Sequence, residues 1–216
     1  MDAKDRLIGE IEADAYQTAY KTGRPQLSAS VLDAIRAVPR EAFVPANLRD
    51  QAYDNNPLPI GEGQTISQPF IVALMTDLLD PEPGDRVLEV GTGCGYQAAV
   101  LAGVVGEVYS VEYIAELGEA AAERLRRLGY DNVHLRIGNG RDGWPEAAPF
   151  DGILVTAGTE SIPQTLIDQL APGGRLVIPV GRGILGQDLR VLTKDAEGGV
   201  SESSVLPVAF VPLEGG

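Results

Sequence analysis

The sequence has almost none of the residues from which metal and redox sites are built: one cysteine (Cys94), one histidine (His134), one tryptophan and two methionines in 216 residues. A single cysteine excludes an internal disulfide framework, and one cysteine with one histidine is too few for a Cys/His metal site. No metal is expected. Positive charge is scarce as well, with 17 Lys and Arg against 31 Asp and Glu, a net charge of −14. Nucleic acids and anionic membranes are held by basic faces, so neither is an expected partner. No run approaches the ~18 apolar residues of a transmembrane helix. The opening MDAKDRLIGEIEADAYQ lacks the apolar stretch of a secretory leader. The expectation is a cytoplasmic monomer.

What is present suits a folded domain: 44% hydrophobic and 22% charged residues. The length predicts one domain over 1–216, able to bury about two-thirds of its unfolded surface without staples. Residues 1–80 read as an N-terminal helical and loop region, and 81–216 as an alternating core. Leu7, Ile8, Ile11 and Ala15, then Val31, Leu32, Ile35 and Val38, follow helical spacing. Tyr53 to Gln68, YDNNPLPIGEGQTISQ, has no period and reads as a long functional loop. Pro69 then suits the first position of a helix carrying Phe70, Leu74 and Leu78.

Strand-like runs follow at Arg86–Val90, Val108–Glu112, Val133–Ile137, Gly152–Val155 and Leu176–Val180, with a helix of period 3–4 from Ile114 to Leu128. IPQTLIDQL reads as another short helix before APGG. Apolar strands joined by helices predict a doubly wound α/β fold with a mostly parallel sheet. QDLRVLTKD and SSVLPVAFVPL around a Gly-Gly turn predict a C-terminal antiparallel hairpin.

VLEVGTGCGY sets Gly91, Gly93 and Gly95 between the first of these strands and a helix. Glycines there let a ligand lie against the backbone. Glu112 ends the next strand, where a carboxylate accepts from ribose hydroxyls. A dinucleotide fingerprint wants a small residue where this chain has Tyr96. The Gly-x-Gly-x-Gly spacing, with Glu89 two residues before it, is more similar to an S-adenosylmethionine loop.

YDNNPLPIGEGQTISQP, VLEVGTGCGYQAAVLA, GNGRDGWPEAAPFD, PGGRLVIPVG and FVPL together resemble the protein-L-isoaspartate O-methyltransferases, in order from VPREAFVP to Leu213. TISQP with FVPL is the specific part, since the glycine loop is common to many methyltransferases. The resemblance implies the methyltransferase fold and transfer of a methyl group from S-adenosyl-L-methionine, leaving S-adenosyl-L-homocysteine, to isoaspartyl residues of damaged proteins and peptides. It implies Ser67 as the active-site residue, with Thr65, Ile66 and Ser67 against the cofactor, Glu112 at the ribose and Asn139–Gly140 at the adenine. Val211 and Leu213 would lie beside the bound peptide. Two positions depart from the family pattern: Asn139 stands where Asp is usual, and AGTES from Ala157 replaces an Ala-Ala-Pro stretch.

Local sequence alone favours Ser67 as a helix cap, and the resemblance reverses that preference. Cys94 and His134 read as structural residues, Trp144 as cover for the pocket edge or core, and RLRR at 124–127 as an exposed helix face. Other functions stay open from the residues: a methyltransferase for aspartate in a dedicated peptide, a nicotinamide dehydrogenase, or a non-catalytic nucleotide-binding module.

Overall fold

A computed structural model describes residues 2–183 and 186–215. Helix α1 (Ala3–Thr22) buries Leu7, Ile8, Ile11 and Ala15, and ends at Gly23, whose φ of +67° closes the helix with an N–H to the Ala19 carbonyl. Helix α2 (Ala29–Ala37) buries Val31, Ala34 and Ile35 and stops two residues before Pro39. Two short 3₁₀ turns, Arg40–Ala42 and Ala46–Gln51, follow.

The stretch expected to be a structureless loop contains a hairpin. Strands β1 (Leu58–Gly61) and β2 (Gln64–Ile66) pair antiparallel with Leu58 opposite Ile66. The turn between them carries positive φ at both Glu62 and Gly63, the geometry that matches the twist of paired strands. The strands are too short and too exposed for alternation to show, so the Glu-Gly turn was the only local signal. Helix α3 (Pro69–Leu78) starts at the proline, as expected.

The remaining elements are β3 (Arg86–Val90), α4 (Tyr96–Ala102), β4 (Glu107–Glu112), α5 (Ala115–Arg127), β5 (Val133–Ile137), β6 (Phe150–Val155), α6 (Gln164–Asp168), β7 (Leu170–Arg182), β8 (Gly186–Lys194) and β9 (Val200–Val208). They form a seven-stranded sheet in the order β5-β4-β3-β6-β7-β8-β9, with β5 to β7 parallel and the last two strands antiparallel. The doubly wound sheet and its C-terminal hairpin are as predicted. Two boundaries differ. Helix α6 is shorter than IPQTLIDQL, because strand β7 already begins at Leu170. FVPL leaves the hairpin after Val208 and pairs with the loop after β6, through Gly158 N–H to Val211 and Leu213 N–H to Gly158.

Apolar side chains alternate across the sheet. Val87 packs into a core with α1 to α4, whereas Leu88 and Val90 pack into a second core with Ile153, Leu166 and Ile178. Both faces of the central strands are therefore covered, and β3, β4 and β6 are buried along most of their length, whereas the edge strand β5 is only partly buried. The direction in which strands are added reverses at β3, whose neighbours are β4 on one side and β6 on the other, both parallel to it. Ligands of open α/β sheets bind outside the carboxyl ends of the strands at such a point. No helix among the described residues is long and apolar enough to cross a membrane.

Candidate active site

Each strand around the reversal point delivers one functional segment from its carboxyl end. The glycine loop leaves β3 with φ of +97° at Gly91 and +53° at Gly93. A Cβ on Gly91 would stand 2.5 Å from the Thr156 hydroxyl oxygen, in a backbone conformation that L side chains avoid. That hydroxyl, just past the end of β6, donates to the carbonyls of Val90 (3.1 Å) and Gly91 (2.5 Å) and holds the loop's first turn. Gly95 differs in role: it precedes α4 and faces Leu125 of α5, outside the cavities.

Glu112 ends β4 and is 6% exposed. Its Oε2 accepts the Gly93 N–H (2.7 Å) and its Oε1 the Ile114 N–H (2.9 Å). Each carboxylate oxygen keeps accepting capacity, and Glu112 lines a cavity of about 60 Å³ with Gly91, Gly93, Gly140 and Leu213. Spare acceptor capacity beside a glycine turn fits the hydroxyls of a nucleoside ribose.

Glu89 does not reach that cavity. It is fully buried beneath the loop, where Ser110 donates to one carboxylate oxygen and the other has no partner among the described residues. Burial pushes its carboxyl up to about 8, helped by the nearby Glu112 charge and opposed by the Ser110 bond. The Ser110 oxygen also lies 2.6 Å from the Thr92 hydroxyl oxygen, which ties this buried acid to the loop above.

Hairpin β1–β2 forms the other wall. Thr65 lines all three adjoining cavities, as does Thr156, and buried Ile66 lines the smallest. Ser67 faces the largest, a cleft of about 400 Å³ between α3 and the segment from Pro207 to Val211. The capping role that local sequence favoured for Ser67 is taken elsewhere. Helix α3 has Gln68 at its N-cap, with no side-chain bond from it, and the Phe70 N–H is taken by Asn55 Oδ1 at 3.0 Å. The Ser67 hydroxyl makes no hydrogen bond among the described residues, and only its carbonyl is engaged, by Arg40.

Asn139 caps the turn Gly140–Asp142 by accepting the Arg141 N–H (3.0 Å), and donates to the Gly215 carbonyl (3.2 Å). Each end of its amide thus bonds the protein once, and Gly140 rather than Asn139 lines the nucleotide cavity. A Cβ on Gly140 would collide with Val90, which explains the glycine. Val211 lies between the cavity and the cleft, whereas Leu213 lines only the cavity, against Gly140.

Cys94 is buried, and burial pushes its thiol up to about 11, so it is a packing residue. His134 sits on β5, 4.8 Å from the Tyr109 ring and outside the site. Trp144 packs at Tyr109 under the Arg136 guanidinium. Arg124 of RLRR is not merely an exposed face, since it donates to the Cys94 carbonyl at 2.7 Å.

Three residues went unread in the sequence. Arg40 stands in VPREAFVP with nothing nearby to mark a buried cation. Asn55 looked like one polar loop residue among several. Gln187, 4% exposed, has its amide doubly bonded to the main chain of Phe210: Oε1 takes its N–H (2.8 Å) and Nε2 donates to its carbonyl (3.1 Å). That clamp fixes one wall of the cleft.

A glycine turn at the reversal point, an acidic end on the next strand and a cleft over both define an S-adenosylmethionine-dependent methyltransferase. Tyr96, buried at 2% against Phe43, leaves no room for the close helix packing of a dinucleotide fingerprint. More narrowly, the chain belongs to the protein-L-isoaspartate(D-aspartate) O-methyltransferase family, whose profile matches residues 17–216. It is 56% identical over 214 residues to protein-L-isoaspartate O-methyltransferase 2 of Syntrophobacter fumaroxidans, covering 99% of this chain and 87% of that one. A solved protein-L-isoaspartate O-methyltransferase is 30% identical with a TM-score of 0.85, over 98% of this chain and 66% of that one. A Plasmodium falciparum structure, described as a beta-aspartate methyltransferase in complex with S-adenosyl-L-homocysteine, shares the fold at 24% identity and a TM-score of 0.79, covering 99% of both chains.

Proposed function

We propose the following residue roles for the reaction of this family, methyl transfer from S-adenosyl-L-methionine to the free carboxylate of L-isoaspartyl residues, which begins repair through a succinimide. The cofactor supplies a methyl group already activated by its sulfonium. Gly91 and Gly93 leave room for it against the backbone, and Glu112 accepts from its ribose. Thr65 and Thr156 stand where the nucleotide cavity opens into the cleft. The acceptor is a carboxylate with a pKa near ~4, ionised at neutral pH, so no general base is needed. The chain's task is alignment and exclusion of water.

The Ser67 hydroxyl donates to one oxygen of the acceptor carboxylate, leaving the other to attack. The observation that carries this role is its freedom: it lines the cleft while Asn55 serves the helix start. Val211 contacts both cofactor and peptide; Leu213 seals the adenine end. The regions 1–80 and 81–216 act as one catalytic unit, the first supplying the serine and the second the cofactor site. The net charge of −14 supports a protein that avoids nucleic acid, and a monomeric cytoplasmic enzyme is the simplest form of this reading.

The test is tritiated methyl transfer to matched isoaspartyl and aspartyl peptides. Strong preference for the isoaspartyl peptide is expected. Equal rates, or preference for aspartate, would redirect the assignment to a dedicated aspartyl peptide.

A further inference from the structure

Arg40 is completely buried, yet none of the ion pairs among the described residues includes it. Its guanidinium bonds three main-chain carbonyls instead. Nη1 donates to Ala52 (2.6 Å), and Nη2 donates to Asn56 (3.1 Å) and Ser67 (3.0 Å). The Tyr96 ring lies 5.5 Å away on one side. An unpaired buried cation is costly, and an apolar side chain of similar volume would fill such a space more favourably. What the cation grips therefore matters more than its burial.

It grips the base of the hairpin from both ends. Asn56 lies just before β1 and Ser67 just after β2, so Nη2 alone closes the segment that carries Thr65, Ile66 and Ser67, while Nη1 ties it to Ala52. The Ser67 peptide unit is anchored at its carbonyl while the side chain stays free. A lysine ammonium is one nitrogen and cannot stand at the Nη1 and Nη2 positions together, so it cannot hold Ala52 and the hairpin base from one rigid plane. Resting on the role proposed for Ser67, we infer that Arg40 is a positioning residue for methyl transfer: it clamps the base of the β1–β2 hairpin and so sets the Ser67 hydroxyl against the acceptor carboxylate.

The experiment is a double-mutant cycle of Arg40→Lys and Ser67→Ala, read as kcat on an isoaspartyl peptide at saturating cofactor, with amide hydrogen exchange on each protein. Arg40→Lys should lower kcat about tenfold when Ser67 is present and less than about twofold in the Ser67→Ala background, because residues acting through one group are not additive. Exchange should quicken across 57–68 and stay unchanged in β3 and β4. Arg40→Gln repeats the cycle if the lysine variant does not fold. An equal fractional loss in both backgrounds overturns the clamp while leaving Ser67 its role. Wild-type turnover in Ser67→Ala alone refutes the serine's role and the clamp's purpose with it. Hairpin amides that exchange in the wild type as fast as an unstructured peptide would also overturn it.

Discussion

Glu89 makes the stability of this fold depend on pH in a direction opposite to most paired acids. In the unfolded chain its carboxyl titrates near 4.5, and in the folded chain burial raises it to about 8. Between those values the native state holds a proton that the unfolded state has released, so stability falls as pH rises. The stability is fully present below 4.5 and is lost through about 8. At about 1.4 kcal/mol per pH unit the loss approaches roughly 5 kcal/mol, an upper bound because relaxation and water entry soften burial penalties. Glu89→Gln keeps the shape and an acceptor for Ser110 but cannot ionise. Its stability relative to wild type should therefore climb by up to about 4 kcal/mol between pH 5 and pH 9, roughly 10 °C in Tm for a chain of this size. Other acids titrate alike in both proteins and cancel. Denaturant melts of cofactor-free protein at both pH values measure the difference. A constant offset would refute the reasoning, since it would mean that Glu89 is ionised in the fold at neutral pH. The functional link is short: the Ser110–Thr92 contact joins this acid to the glycine loop, so cofactor affinity should weaken over the same pH range.

Ser67→Ala should lower kcat by about ten- to a hundredfold, the value of one bond to a charged group, with cofactor affinity changed less than about twofold. Steady-state kinetics beside calorimetry separates the two. Gly93→Val places a β-branched side chain at φ +53°, with its Cβ 3.3 Å from Ile60 Cδ1; calorimetry should show cofactor binding abolished while circular dichroism shows a retained fold. Asn139→Asp keeps the cap on Arg141 N–H but turns an acceptor toward the Gly215 carbonyl, so the C-terminal end should detach, seen as faster exchange there, at a cost of about 1 kcal/mol.

The sheet was legible because its central strands are buried on both faces and its longest connecting helix is amphipathic. The glycine loop and Glu112 were legible because their spacing is dictated by one strand-turn-helix unit. What was not legible depends on contacts across long sequence separations. Asn55 caps a helix fifteen residues away, and Arg40 grips carbonyls from Ala52 to Ser67. Neither partner shows in a local pattern, because a main-chain carbonyl is the same whatever the residue. Asn139 combines both kinds of contact: its amide accepts from the Arg141 N–H two residues on and donates to the Gly215 carbonyl at the far end of the chain, and only the first is local.

Gly158 and Thr159 of the AGTES stretch depart from the Ala-Ala-Pro pattern that the resemblance implies, and their packing shows where those departures act. Gly158 sits where alanine is usual, and a Cβ there would collide with the Gln187 amide, its Cδ 2.7 Å away. Thr159, where proline is usual, is buried and donates its N–H to the Pro179 carbonyl at 3.0 Å, a bond that proline cannot make. Its hydroxyl reaches the same carbonyl at 3.4 Å. Neither residue lines the cleft. Both departures act on the scaffold: Gly158 makes room for the amide that clamps Phe210 and pairs with Val211 and Leu213, and Thr159 ties that loop to β7. They can move the wall at Phe210 and Val211 as a unit, but they bring no new side chain to the peptide. At Gly158 and Thr159 the departure is therefore one of packing, and it acts on the cleft only through the wall that Gln187 holds at Phe210.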